Sequence, residues 1–241
     1  MLYLDSLPIL NKEELFDLYP EIFRVLTKFY PIGYHYESEK FQNHLSTQLV
    51  QKLIKEKIEN KENLKLWQDD FCSILSKSVG LQVIGATFGV SPAYGAKIII
   101  EENLDRDLTI ELHIKLSLLG HFYSIQIGYI NSRMKMKSDY DYLDDITGYG
   151  LEKLVISPID GHYGDIFMKV ENSIREYFQD GIFLPYKLDI TRLSGLTTYY
   201  NEMVDSPIGM AFFRNFMPIN YYKPPELLGN PNYMIEKLTK N

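Results

Sequence analysis

Residues 108–129 read Leu-Thr-Ile-Glu-Leu-His-Ile-Lys-Leu-Ser-Leu-Leu-Gly-His-Phe-Tyr-Ser-Ile-Gln-Ile-Gly-Tyr. Leu108, Ile110, Leu112, Ile114 and Leu116 alternate with Thr109, Glu111, His113, Lys115 and Ser117. Tyr123, Ile125, Ile127 and Tyr129 then alternate with Phe122, Ser124, Gln126 and Gly128. A period of two marks a strand with one apolar face. Placing Leu119-Gly120 as a two-residue type I′ loop opposes Leu116 to Tyr123, Ile114 to Ile125, Leu112 to Ile127 and Ile110 to Tyr129. Every apolar residue then meets an apolar one, so the turn and the side-chain pattern give one register. The other face pairs Lys115 with Ser124, His113 with Gln126 and Glu111 with Gly128.

Upstream, the period is helical. Asn11 is a cap for a helix over Lys12–Tyr19, with Pro20 either ending it or starting another that runs to about Tyr30. From Ser38, an N-cap, to Asn60, the apolar set Phe41, Leu45, Leu49, Leu53, Ile54 and Ile58 predicts one amphipathic helix. A further helix is expected from about Leu64 to Val79, with Leu64, Trp67, Phe71, Ile74, Leu75 and Val79 inward. At Gly80 the period becomes two, with strands over Leu81–Val90 and Tyr94–Glu101 around a Ser91-Pro92 turn. Arg133, Lys135 and Lys137 alternate with Met134 and Met136 on a further strand. Tyr163–Phe178 is helical, and Ile182–Ile190 alternates again with Pro185 at an edge or bulge. Short helices are expected at Leu196–Val204 and Pro207–Phe216.

Helices, then an antiparallel meander, then a helix point to an α+β class. The expectation is one domain over residues 1–241, its helical part about 1–80 and its sheet part about 81–241. The N-terminal helices and one further amphipathic helix cover the meander.

The 241 residues carry 25 Lys+Arg and 32 Asp+Glu, a formal charge of −7. No third of the chain is basic, which argues against binding nucleic acid. No apolar run is long enough to span a bilayer and the start lacks a signal peptide, so a cytoplasmic setting without membrane attachment is expected. One cysteine, Cys72, excludes an internal disulfide framework and reads as a core thiol.

The chain holds five histidines and none forms a metal pair such as H-E-x-x-H. No cofactor or metal is expected, because no glycine pattern cradles a phosphate and no G-x-S-x-G elbow is present. His113, beside Glu111 and Lys115, is a general-base candidate for an enzyme with a cleft on the polar sheet face. The competing reading is a solvent-facing strand histidine. Asp160–Asp165 reads as a turn leading into a helix.

The run Asp139, Tyr140, Asp141, Tyr142, Asp144 and Asp145 interleaves tyrosines with carboxylates. A divalent cation and a plain solvated loop are both possible readings, but the run lacks the glycine and glutamate of an EF-hand. The third reading is a contact surface for a basic protein, with rigid aromatic area and negative charge. Aromatic residues reach 14 %, from 19 Tyr, 13 Phe and one Trp. The excess over the apolar stripes is largely loop tyrosine: Tyr140, Tyr142, Tyr149, Tyr199, Tyr200, Tyr221 and Tyr222.

Gly148–Leu154, Ser157-Pro158, Ile174–Phe178 and Phe122–Ile125 together resemble the immunity proteins encoded beside bacterial polymorphic toxins. The resemblance covers about residues 108–190. It implies a non-catalytic inhibitor that binds a toxin domain, often over its active site, and no individual residue is carried over from it. The function expected is therefore protein binding and toxin neutralisation, with the Asp139–Asp145 residues as partner contacts and a basic toxin domain as partner. The alternative is the enzyme using His113 and Glu111.

Overall fold

The computed structural model describes residues 7–87, 89, 91–136, 146–198, 204–214 and 224–239; of residues 132–136 and 146–149 it describes the backbone only. It is an α+β fold on a mixed, largely antiparallel sheet. The helices are α1 Lys12–Leu18, α2 Pro20–Phe29, α3 Glu39–Gln42, α4 Leu45–Ile54, α5 Lys61–Trp67, α6 Ser73–Val79, α7 His162–Tyr177, α8 Tyr186–Ile190 and α9 Ile208–Phe213. The strands are β1 Ile9–Leu10, β2 Val83–Gly85, β3 Ala93–Asn103, β4 Leu108–Ser117, β5 Phe122–Met136, β6 Ile146–Val155, β7 Ile182–Phe183, β8 Arg192–Leu193 and β9 Glu226–Leu228. The main sheet runs β2-β3-β4-β5-β6-β9, with β7 added parallel to the start of β5. β1 and β8 pair separately.

The β4–β5 register is the one read from the sequence: Leu116 opposes Tyr123, Ile114 opposes Ile125, Leu112 opposes Ile127 and Ile110 opposes Tyr129. The turn differs. A type I′ loop needs positive φ at both central residues, and neither Leu119 nor Gly120 has it. The connection is an open bend over Leu118–His121. There the Leu118 N–H donates to the Pro92 carbonyl, and Leu119 is buried in the core. Packing of Leu119 sets this turn, not the propensity of glycine.

Helix starts follow their caps. Asn11 and Glu14 form a reciprocal capping box, each side chain accepting from the other's backbone N–H at 2.8 Å. Ser38 caps α3 as expected. The single helix expected over 38–60 is interrupted, because the chain breaks at Asn43 and restarts at His44, whose Nδ1 accepts from the Ser46 N–H. The buried stripe is consequently Val50, Ile54 and Ile58, while Leu45 is 75 % and Leu49 43 % exposed. A π-helical turn over Lys55–Glu59 follows α4. Asn60 Oδ1 caps Glu62 and Asn63 and starts α5 ahead of Leu64. α5 and α6 join through a second π-helical turn, Gln68–Cys72, and Ile74 faces outward. Gly80 ends α6 at φ +72, a conformation that suits glycine.

Three further readings are corrected. The alternation over 182–190 ends after Phe183, since Pro185 immediately precedes the short helix α8. Of Leu196–Val204, the described residues 196–198 and 204 are not helical, whereas α9 forms within Pro207–Phe216. The 133–136 alternation continues β5 instead of making a new strand.

The apolar sheet face is covered by α5, α6 and α7. Ile98, Leu112, Ile114, Ile125 and Ile127 pack there with Trp67, Phe71, Leu75, Phe167, Val170 and Ile174. One carboxylate, Glu171, is buried in that layer, and it is fully engaged. It accepts from Tyr123 Oη at 3.1 Å, Tyr233 Oη at 2.8 Å and Arg175 Nη2 at 2.6 Å. Contrary to the expectation that all N-terminal helices cover this face, α1, α2 and α4 join a second cluster with Ala93, Leu119, Phe122, Leu188 and the α9 residues Ile208, Phe212 and Phe213. That cluster lies over the bend end of the opposite face.

Candidate functional site

The polar face of β3, β4 and β5 is where the sequence put its only catalytic candidates. It is not a solvent-facing surface. Lys115 is 3 % exposed, and Ser117, Ser124 and Gln126 are buried. The C-terminal segments carrying α8 and α9 bring this about, with α9 packing on β3 and β4.

Glu111 anchors the network there. Its Oε1 accepts from Lys97 Nζ at 3.0 Å, and its Oε2 lies 3.0 Å from His113 Nε2. Lys97 is directly across from His113 in the β3–β4 register. The hydrogen bond from His113, with a second from Lys97, holds the Glu111 carboxyl below its ordinary range despite burial. Further along β4, the buried Lys115 and Asp189 attract each other electrostatically, and Gln126 Nε2 donates to Asp189 Oδ2 at 2.9 Å. Burial pulls the Lys115 ammonium down to about 8, against the attraction of Asp189. Burial likewise pushes the Asp189 carboxyl up, opposed by Lys115 and Gln126. A small cavity of about 160 Å³ is lined by Ala86, Gly95, Lys97, His113 and Lys115.

Of the residues read together from strand alternation, Glu111 and His113 do touch, and Lys115 lies apart from them within reach of the Asp189 charge. Lys97 and Asp189 escaped the sequence reading. Lys97 was legible in principle, once β3 was set against β4. Asp189 was not, because its segment reads as a strand.

The larger concavity lies elsewhere. A groove of about 760 Å³ runs between α2, α4, α5, the Leu118–His121 bend and the C-terminal end of α7. Trp67, Tyr94, Leu53, Leu116, Tyr177 and Phe178 line it, and Trp67 stacks on Tyr94 with ring centroids 4.4 Å apart. The Trp67 indole N–H is buried and has no hydrogen-bond partner among the described residues. Cys72, nearby on the same helical stretch, is a buried thiol pushed up to about 11 by burial, which makes it a poor nucleophile.

Asp139, Tyr140, Asp141, Tyr142, Asp144 and Asp145 lie outside the described residues, as do Tyr199, Tyr200, Tyr221, Tyr222 and the side chain of Tyr149. The strands that flank the acidic run are described. β5 meets β4 as far as Asn131, then continues to Met136 paired only with β6 among the described residues. Met136 opposes Ile146 at the end of that ribbon.

Among the described residues no group of His, Cys, Asp and Glu side chains could hold a metal ion. Nor is any described helix long and apolar enough to cross a membrane. No protein-family model matches the chain, and no curated protein or solved structure is significantly similar to it.

Proposed function

We propose that this protein is a non-catalytic, protein-binding inhibitor of the immunity-protein kind, which neutralises a basic toxin domain in the cytoplasm by direct binding. The observation that carries this reading is the β5–β6 ribbon. It extends five residues past Asn131, the last point of pairing with β4, a reach of about 16 Å at about 3.3 Å per residue. The run from Asp139 to Asp145 joins its two strands. The acidic, tyrosine-rich sequence of that run and the −7 charge of the chain favour basic partners.

The polar face supports the same reading. Lys97, Glu111 and His113 bond to one another, Gln126 bonds to Asp189, and the cavity beside them is small. Such groups serve as packing for a buried sheet face.

The test begins with a partner captured from native lysate by the intact protein, identified, and shown to arrest growth unless this chain is co-expressed. Association is then timed at several salt concentrations. Replacing Asp139, Asp141, Asp144 and Asp145 with Asn is expected to slow association about tenfold at low salt and to flatten its salt dependence. An unchanged rate removes the ribbon tip as the contact. A captured partner that is acidic, or whose toxicity the chain does not relieve, overturns the reading.

A further inference from the structure

The groove beside Trp67 has no part in the function proposed above. Its volume of about 760 Å³ falls within the range of about 300–1,000 Å³ typical of small-molecule sites. Its floor is apolar and aromatic. Its charges, Glu21, Arg24, Lys28, Lys52 and Glu56, come from the outer turns of α2 and α4 and the π-helical turn that follows α4.

Those charges are unequal in availability. Glu21 is taken up by Arg24 at 2.6 Å, and Glu56 faces Lys52 at 3.8 Å. Lys28 has no carboxylate partner among the described residues, and its ammonium sits 5.0 Å from the centroid of the Phe29 ring. Three cations therefore face two carboxylates at the mouth of this groove, in a chain whose overall charge is −7. A local excess of positive charge over an apolar floor suits an elongated apolar molecule that ends in an anion. A neutral chain gains no contact for its head, and a cationic one meets Arg24, Lys28 and Lys52.

We propose that this groove binds an alkyl carboxylate, with its chain along Leu53, Trp67, Tyr94 and Phe178 and its carboxylate at Lys28. Burial of the chain supplies the affinity, and Lys28 selects the charge of the head.

Trp67 is the single tryptophan of the chain, so its fluorescence reports on this groove. The intact protein is titrated with decanoate, decanol and decylammonium, each below its micellar concentration. A saturable change with decanoate, and binding of decanoate about tenfold tighter than decylammonium, is the expected result. Lys28→Met is expected to erase most of that preference with the circular dichroism spectrum unchanged. Leu49→Gln, on the partly exposed groove wall, is expected to weaken decanoate and decanol alike. No saturable response to decanoate overturns the proposal, as does equal binding of decanoate and decylammonium. Saturable binding that neither substitution alters places the probe elsewhere and overturns it too.

Discussion

The two faces of the sheet are both buried, yet they are built in opposite ways. One is hydrocarbon closed by α5, α6 and α7, with a single carboxylate, Glu171, held by three donors. The other is lined by Lys115 and Gln126, which the C-terminal segments bury, and by the half-buried Glu111, His113 and Lys97. The first gains its stability from burying apolar area. The second depends on every charge keeping its partner, since removing one member of a buried couple leaves the other uncompensated. A buried polar face is thus less tolerant of single changes than of paired ones.

The largest effect is expected on the apolar face. Phe167 is fully buried, and Phe167→Ala should cost about 4 kcal/mol in denaturant unfolding, from lost contact plus the cavity left behind. Next comes the polar face. Lys115→Met should cost about 3 kcal/mol by stranding Asp189, and adding Asp189→Asn should restore most of it. If the double variant is as unstable as the sum of its parts, the two side chains are not a couple and the contrast between the faces fails.

A pH series sharpens the same point. An unfolded lysine keeps its proton to about 10.5, whereas Lys115 in the fold releases it near 8. Between those values the unfolded state holds more protons, so this group adds stability as pH rises, and below 8 its penalty is present in full. Comparing wild type with Lys115→Met between pH 8 and 9.5, below the range where tyrosines ionise, isolates that slope. The variant should lack it. Leu45→Gln should be the smallest change, within about 0.5 kcal/mol, because Leu45 is 75 % exposed. A large loss there would restore the continuous helix over 38–60 with Leu45 on its inner face.

The candidate site was legible in part. Strand alternation placed Glu111 and His113 side by side, and they are 3.0 Å apart. Their burial was not legible, because a polar strand face reads as solvated unless something elsewhere in the chain covers it. The covering elements, α8 and α9, are short, and the Ile182–Ile190 segment that contains α8 imitates a strand. The groove was invisible for a related reason. Its wall comes from Leu49 and Leu53, which align with Leu45 in the sequence pattern, while the core uses Val50, Ile54 and Ile58 one residue further on.

Local chemistry alone determined what depends on near neighbours: the β4–β5 register, the Asn11 cap and the helical period of α7. Each rests on interactions a few residues apart or across one tight connection, where side-chain pattern and backbone hydrogen bonding agree. Only the tertiary structure decided the rest. Leu119 turned inward because a core was there to receive it, Tyr233 reached Glu171 across 62 residues, and Lys115 lost its water because the C-terminal segments came to lie over it. Burial is a property of the assembled chain, so no local pattern could announce which of two well-formed strand faces would be dry.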